Sequence, residues 1–223
     1  HGRGASHKKA QALRDVLTPE IYARSYERVL QVLQNKLTAD EVSRLVAELS
    51  GNLLSKEEAS DQLELFARLF RKYGDSKINS SSGQMELRLP ELHRPSVTVG
   101  YANGEWVMNP HGGSKKRVKS LNDLAKPVEN HLKIENGQLA TLVELRDLLK
   151  DTAFAVRLDQ HTSSHLHIKV GNNKITVNAR KTLTKPTTLL VFMLDHAYKM
   201  DVIYDGTSPA EAVKALEARF PTA

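Results

Sequence analysis

QMELRLPELHRPSVTVGYANGEWVMN at residues 84–109 falls without a gap on AFAVRLDQHTSSHLHIKVGNNKITVN at residues 153–178 when the chain is slid 69 positions along itself. Met85, Leu87, Leu89, Val97, Val99, Tyr101, Trp106 and Met108 meet Phe154, Val156, Leu158, Leu166, Ile168, Val170, Ile175 and Val177. Arg88, Asn103 and Asn109 meet Arg157, Asn172 and Asn178, and the register continues at Lys116, Leu121, Ile134 and Gly137 against Lys185, Leu190, Ile203 and Gly206. Alternation with a period of two marks a half-buried strand, and any two strands share it. Three strands in phase, with the same loop lengths, indicate a tandem duplication. Residues common to both copies serve folding, so function is expected where the copies differ.

The alternation predicts strands at 85–89, 96–101 and 105–109 in the first copy. The last two join at Asn103-Gly104, a favoured pair for two-residue hairpin turns. The second copy predicts strands at 153–158, 165–170 and 174–178 with a turn over 171–173. Beyond them the first copy reads as a weak helix from Ser114 to about Pro127, a strand at 132–135, a turn at Asn136-Gly137 and a helix at 139–149. The second reads as a helix over 187–197, a strand at 202–204, a turn at Asp205-Gly206 and a helix from Ser208-Pro209-Ala210-Glu211 to Phe220. Each unit is therefore β-β-β-α-β-α, at 84–150 and 153–223, with helices covering one face of an antiparallel sheet.

Upstream, Thr18-Pro19-Glu20, Thr38-Ala39-Asp40-Glu41 and Ser55-Lys56-Glu57-Glu58 open three helices with capping hydroxyls. Gly51 and Gly74 stop the second and third. These helices are expected to pack as a bundle over 1–74, preceded by a solvated basic arm (Arg3, His7, Lys8, Lys9, Arg14) and followed by a polar linker at 75–83. A DNA-reading helix-turn-helix is disfavoured, because the third helix opens on Glu57, Glu58, Asp61 and Glu64, which repel phosphate. The fold class is α+β.

With 32 Lys and Arg against 26 Asp and Glu, the net charge of +6 favours an anionic partner, nucleic acid first. The chain has no cysteine, which excludes disulfides and thiolate metal sites and fits a cytoplasmic protein. No stretch approaches the roughly 20 apolar residues of a membrane span, and His1-Gly2-Arg3-Gly4 reads as a processed end. No nucleophile elbow, phosphate-binding glycine loop or carboxylate pair appears, so catalysis is disfavoured and no cofactor is expected.

The copies differ at two places. The first has Gly112-Gly113-Ser114-Lys115-Lys116-Arg117-Val118-Lys119 where the second has Lys181-Thr182-Leu183-Thr184-Lys185-Pro186-Thr187-Thr188. Four cations at an expected helix start, where the dipole already favours an anion, point to a phosphate ligand. A solvated loop is the plainer alternative. The second difference is His161, His165 and His167 against Leu92, Ser96 and Thr98. Two histidines two apart on a strand, with His161 or Asp159, can supply metal ligands, or contact phosphate when protonated.

A helix at 56–73, three antiparallel strands and a second helix opened by Gly-Gly-Ser-Lys-Lys-x-x-Lys resemble the double-stranded-RNA-binding domain over residues 56–127. The resemblance implies that Lys115, Lys116 and Lys119 grip phosphates, and that the loop holding His93 and Arg94 enters the minor groove, reading duplex shape. It departs from the family at Asn122 and Asp123, where small residues are expected. Residues 131–220 resemble the phosphocarrier HPr fold, but Gln138, Leu139, Ala140 and Thr141 replace its phosphorylated histidine, which implies docking without phosphotransfer. The reading is non-catalytic binding of structured or duplex RNA or DNA through Lys115, Lys116, Arg117, Lys119, His93 and Arg94. A protein-interaction scaffold, self-associating through the N-terminal helices, and a metal-dependent enzyme using the histidines are the alternatives.

Overall fold

A computed structural model describes residues 2–17, 19–49 and 54–221, so the cap expected at Thr18 and the stop at Gly51 lie outside the described residues. Helices α1 (Gly2–Arg14), α2 (Pro19–Arg24), α3 (Tyr26–Leu33) and α4 (Ala39–Leu49) come first. They enclose a small core of their own, made by Leu13, Val29, Val32, Val42 and Leu45. The basic arm lies on helix α1: His7, Lys8 and Arg14 are exposed as expected, but Lys9 Nζ donates to Leu37 O at 2.8 Å and Asn35 Oδ1 at 3.1 Å. The capping box that opens α4 is present, with Glu41 N donating to Thr38 Oγ1 and Thr38 N to Glu41 Oε1, both at 3.2 Å.

Helix α5 (Lys56–Arg68) also opens on its capping box at Ser55 and Glu58. It does not join the bundle. Its face of Ala59, Leu63, Phe66 and Ala67 is buried in the main core, against the first two strands of a sheet. That first sheet is a five-stranded antiparallel meander, β1 (Asp75–Asn79), β2 (Gln84–Arg88), β3 (Val97–Ala102), β4 (Glu105–Pro110) and β5 (Lys116–Val118). The segment expected as a linker is thus mostly the edge strand β1. Gly74 allows the turn from α5 into β1, because a Cβ there would stand 2.1 Å from the Arg88 carbonyl oxygen.

A 3₁₀ turn at Leu121–Leu124 leads into α6 (Ala125–Leu148), one continuous helix. The strand expected at 132–135 and the turn expected at Asn136-Gly137 both lie inside it. Pro127 falls in its first turn, where an N–H has no intrahelical partner to lose. Val128, Leu132, Glu135, Leu139, Leu142 and Leu145 then recur every three or four residues as its buried stripe. Burial of that stripe outweighs the local turn preference of Asn136-Gly137.

The second sheet is likewise a five-stranded antiparallel meander, β6 (Ala155–Leu158), β7 (His165–Val170), β8 (Asn173–Arg180), β9 (Thr188–Leu194) and β10 (Met200–Gly206), followed by α7 (Pro209–Arg219). The apolar run expected as a helix over 187–197 is strand β9, with Leu189 and Val191 fully buried and Leu190 and Phe192 on the opposite face. The units are therefore not β-β-β-α-β-α. Each has five strands, and α6 packs on both sheets, with α5 beside it on the first and α7 on the second. One continuous core joins the three helices to the inner faces of both sheets, leaving the two outer faces to solvent.

Under the 69-residue offset the buried faces agree but the pairing does not. Val99 lies opposite Met108, whereas Ile168 lies opposite Ile175 and not Val177. A shift of two residues keeps each side chain on its face, which is why alternation alone could not reveal it.

Candidate nucleic-acid interface

The basic run at 115–119 does not open a helix. Lys116, Arg117 and Val118 form β5, paired with Met108, Val107 and Trp106 at the edge of the first sheet. The helix-dipole argument for an anion therefore falls away. Lys115, Lys116, Arg117 and Lys119 are all exposed. Glu105 partly neutralises two of them, at 3.1 Å from Lys119 Nζ and 4.0 Å from Arg117. Lysines on an edge strand also block pairing with another sheet.

Arg94 is not free to meet phosphate. Its guanidinium makes a bidentate pair with Glu135 at 3.0 and 2.9 Å, and its side chain is only 12% exposed. The same group donates to His161 O at 2.9 Å, while His93 N donates to Gln160 O at 2.9 Å. The β2–β3 loop is thereby tied to the β6–β7 loop and to α6. Glu135 belongs to the buried stripe of α6, so it needs a cation. Burial pushes its carboxyl up, but hydrogen bonds from His131 and Arg94, with their charges, hold it below the usual range. Nearby, burial and the Arg94 charge push His111 down, against the pull of Glu135. His93 keeps an exposed side chain.

His161 lies exposed in the β6–β7 loop, and His165 and His167 are half-buried on the outer face of β7. His167 Nε2 is 3.9 Å from Asp159 Oδ2. The His161 N–H holds the Asp159 carboxyl below its usual range, against a smaller burial effect, and the three histidines add to this. Among the described residues no group of three or more His, Cys, Asp or Glu is placed to hold a metal ion.

The residues that sequence reasoning missed surround them. Outward on the second sheet stand Arg157, Lys169, Lys174 and Arg180, all exposed, none with an ion pair among the described residues. Lys169 lies directly opposite Lys174. Like charges in that position destabilise a sheet. Two carboxylates reach this face, Asp205 on β10 and Asp159 at the end of β6, 3.9 Å from His167, while Asp201 turns inward to Arg219. A shallow concavity is lined by Arg157, His167, Lys169, Lys174 and Thr176.

No relative decides the matter. No protein-family model, no curated protein and no solved structure matches this chain. The geometry of the second sheet therefore carries the reading. Its signal was present in the repeat: the offset that sets Thr98, Gly100 and Glu105 against His167, Lys169 and Lys174 shows outward positions turning basic. Among the described residues no helix is long and apolar enough to cross a membrane.

Proposed function

We propose that this chain is a non-catalytic nucleic-acid-binding protein whose main contact surface is the outer face of the second sheet. The observation that carries this reading is the like-charge pair Lys169–Lys174, with Arg157 beside it on β6 and no ion pair to any of the three among the described residues. A phosphate chain would remove the repulsion that the folded protein retains. Lys115 and Lys116 on the edge of the first sheet, with Arg117 and Lys119, form a second basic contact, and His93 adds an exposed side chain in the β2–β3 loop. Arg94 acts by fixing that loop. The two sheets, on this reading, descend from one duplicated unit, and the cysteine-free chain suits the reducing cytoplasm.

A salt titration of binding to duplex RNA, duplex DNA and single strands tests it. The logarithm of affinity should fall linearly with the logarithm of salt, by about 0.7 to 0.9 per neutralised phosphate. Absence of binding at low salt to every probe, or affinity indifferent to salt, defeats the proposal.

A further inference from the structure

We infer that the outer face of the second sheet takes single-stranded nucleic acid, with bases laid on the sheet and phosphates on the surrounding cations; this rests on the nucleic-acid reading above. The pairing register sets one row across four strands. Arg157 lies opposite His167, His167 opposite Thr176, and Thr176 opposite Phe192. A guanidinium, an imidazole, a hydroxyl and a phenyl ring therefore stand side by side, with about 10 Å between the imidazole and the phenyl strands. The next row toward the hairpin carries Lys169 and Lys174, and the row on the other side carries His165 opposite Asn178 and Asn178 opposite Leu190.

Three features choose a single strand over a duplex. First, β9 places Leu190 and Phe192 outward and half-exposed, where a solvent-facing strand ordinarily carries polar residues. Rings on a sheet gain energy from the faces of unstacked bases, which a duplex hides. Second, a broad sheet face enters neither groove of a duplex, whereas a helix or a two-stranded ribbon does. Third, Lys174, Lys169 and Arg157 stand beside the ring row on the same face, so an extended phosphate chain can follow them while its bases turn onto the row. Thr176 and Asn178 add hydrogen-bonding groups between the rings, which suit many base edges and select none strongly. The expected ligand is therefore a single strand bound with weak sequence preference.

The test compares labelled single-stranded oligouridylate and oligothymidylate with duplexes of the same length and with anionic phosphatidylserine vesicles, using the full chain. Wild type should favour the single strands. Phe192→Leu keeps apolar volume but removes the ring, and should weaken single-strand binding about tenfold, as expected for one lost base stack. Lys169→Gln with Lys174→Gln should flatten the salt slope on single strands by about 1.4, two contacts at 0.7 each. Lys77→Gln, on the outer face of the first sheet, should leave single-strand affinity nearly unchanged. If Phe192→Leu fails to fold by circular dichroism, His167→Gln reads the same row. Preference for duplex, or unchanged affinity in both ring-row variants while the lysine variants weaken binding, overturns this inference and leaves the broader nucleic-acid reading standing. Binding to vesicles and to no oligonucleotide defeats both.

Discussion

The outer faces of the two sheets solve the same problem differently. On the first, opposite charges are paired across strands: Asp75 lies opposite Arg88 and Lys77 opposite Glu86, and Arg88 also reaches Glu86 at 3.1 Å. On the second, Lys169 lies opposite Lys174 and the neighbouring cations have no such partners among the described residues. Both faces are backed by the same continuous core, so neither arrangement is forced by packing. A face that is already neutral gains little from a ligand. A face that keeps its repulsion is stabilised by one, which is why the outer face of the second sheet is proposed as the main contact surface.

The strongest way to break the comparison is at the joint between the halves. Arg94 and Ser163 occupy equivalent positions under the 69-residue offset, and both grip α6, Arg94 through Glu135 and Ser163 Oγ through Gln138 Oε1 at 2.8 Å. Arg94→Ala leaves a buried carboxylate unpaired and should cost about 3–5 kcal/mol in urea denaturation. The same node contributes to acid sensitivity. The folded Glu135 carboxyl sits below its unfolded value of about 4.3, so its contribution is complete above that pH and is lost as pH falls through the lower folded value. Denaturation curves collected downward from pH 6 should show that loss, and Glu135→Gln should reduce the acid slope. Gly74→Ala comes next, at roughly 1–3 kcal/mol, because the added methyl meets a backbone carbonyl that cannot swing aside. Its effect tests β1, the edge strand that has no counterpart at the same offset in the second sheet. Ser163→Ala removes one neutral hydrogen bond and should cost about 1 kcal/mol. Equal losses at Arg94 and Ser163 would show that the two loops are anchored alike and that the ion pair is incidental.

Much of this fold is readable locally. The capping boxes at Thr38 and Ser55 and the alternation of 84–109 and 153–178 need only neighbouring residues to specify them, and both boxes and the inner faces are found as expected. The failures share one cause, burial decided at a distance. Asn136-Gly137 looks like a turn until the stripe from Val128 to Leu145 is buried on two sheets at once. Gly137 then serves close approach, since its carbonyl accepts from Thr187 Oγ1 at 3.1 Å and the Lys181 stem passes where a Cβ would sit. The six apolar residues of 189–194 fit either a short helix or a strand, and the pairing of β9 with β8 settles it. Arg94 looked like a phosphate ligand because its partner lies 41 residues away. The basic face of the second sheet was legible at the same offset that exposed the repeat. The run at 115–119 is the stronger local signal because its cations are contiguous, whereas those of the second sheet are spread over three strands.

The smallest expected effect is also the most direct exchange between the sheets. Lys169→Glu gives the second sheet an opposite-charge pair like those of the first, and should stabilise the fold by about 0.2–1 kcal/mol. Glu86→Lys does the reverse, setting two lysines opposite each other on the first sheet, and should destabilise by a similar amount. If charge placement reflects binding, stability and affinity must move in opposite directions in Lys169→Glu: the protein melts later and holds nucleic acid more weakly. In Glu86→Lys, stability falls and single-strand affinity stays near wild type, because no ring row lies beside the new cation. Thermal denaturation at low salt, paired with anisotropy titrations on the same samples, measures both. A Lys169→Glu protein that is more stable and binds equally well would mean that the repulsion has no ligand to explain it.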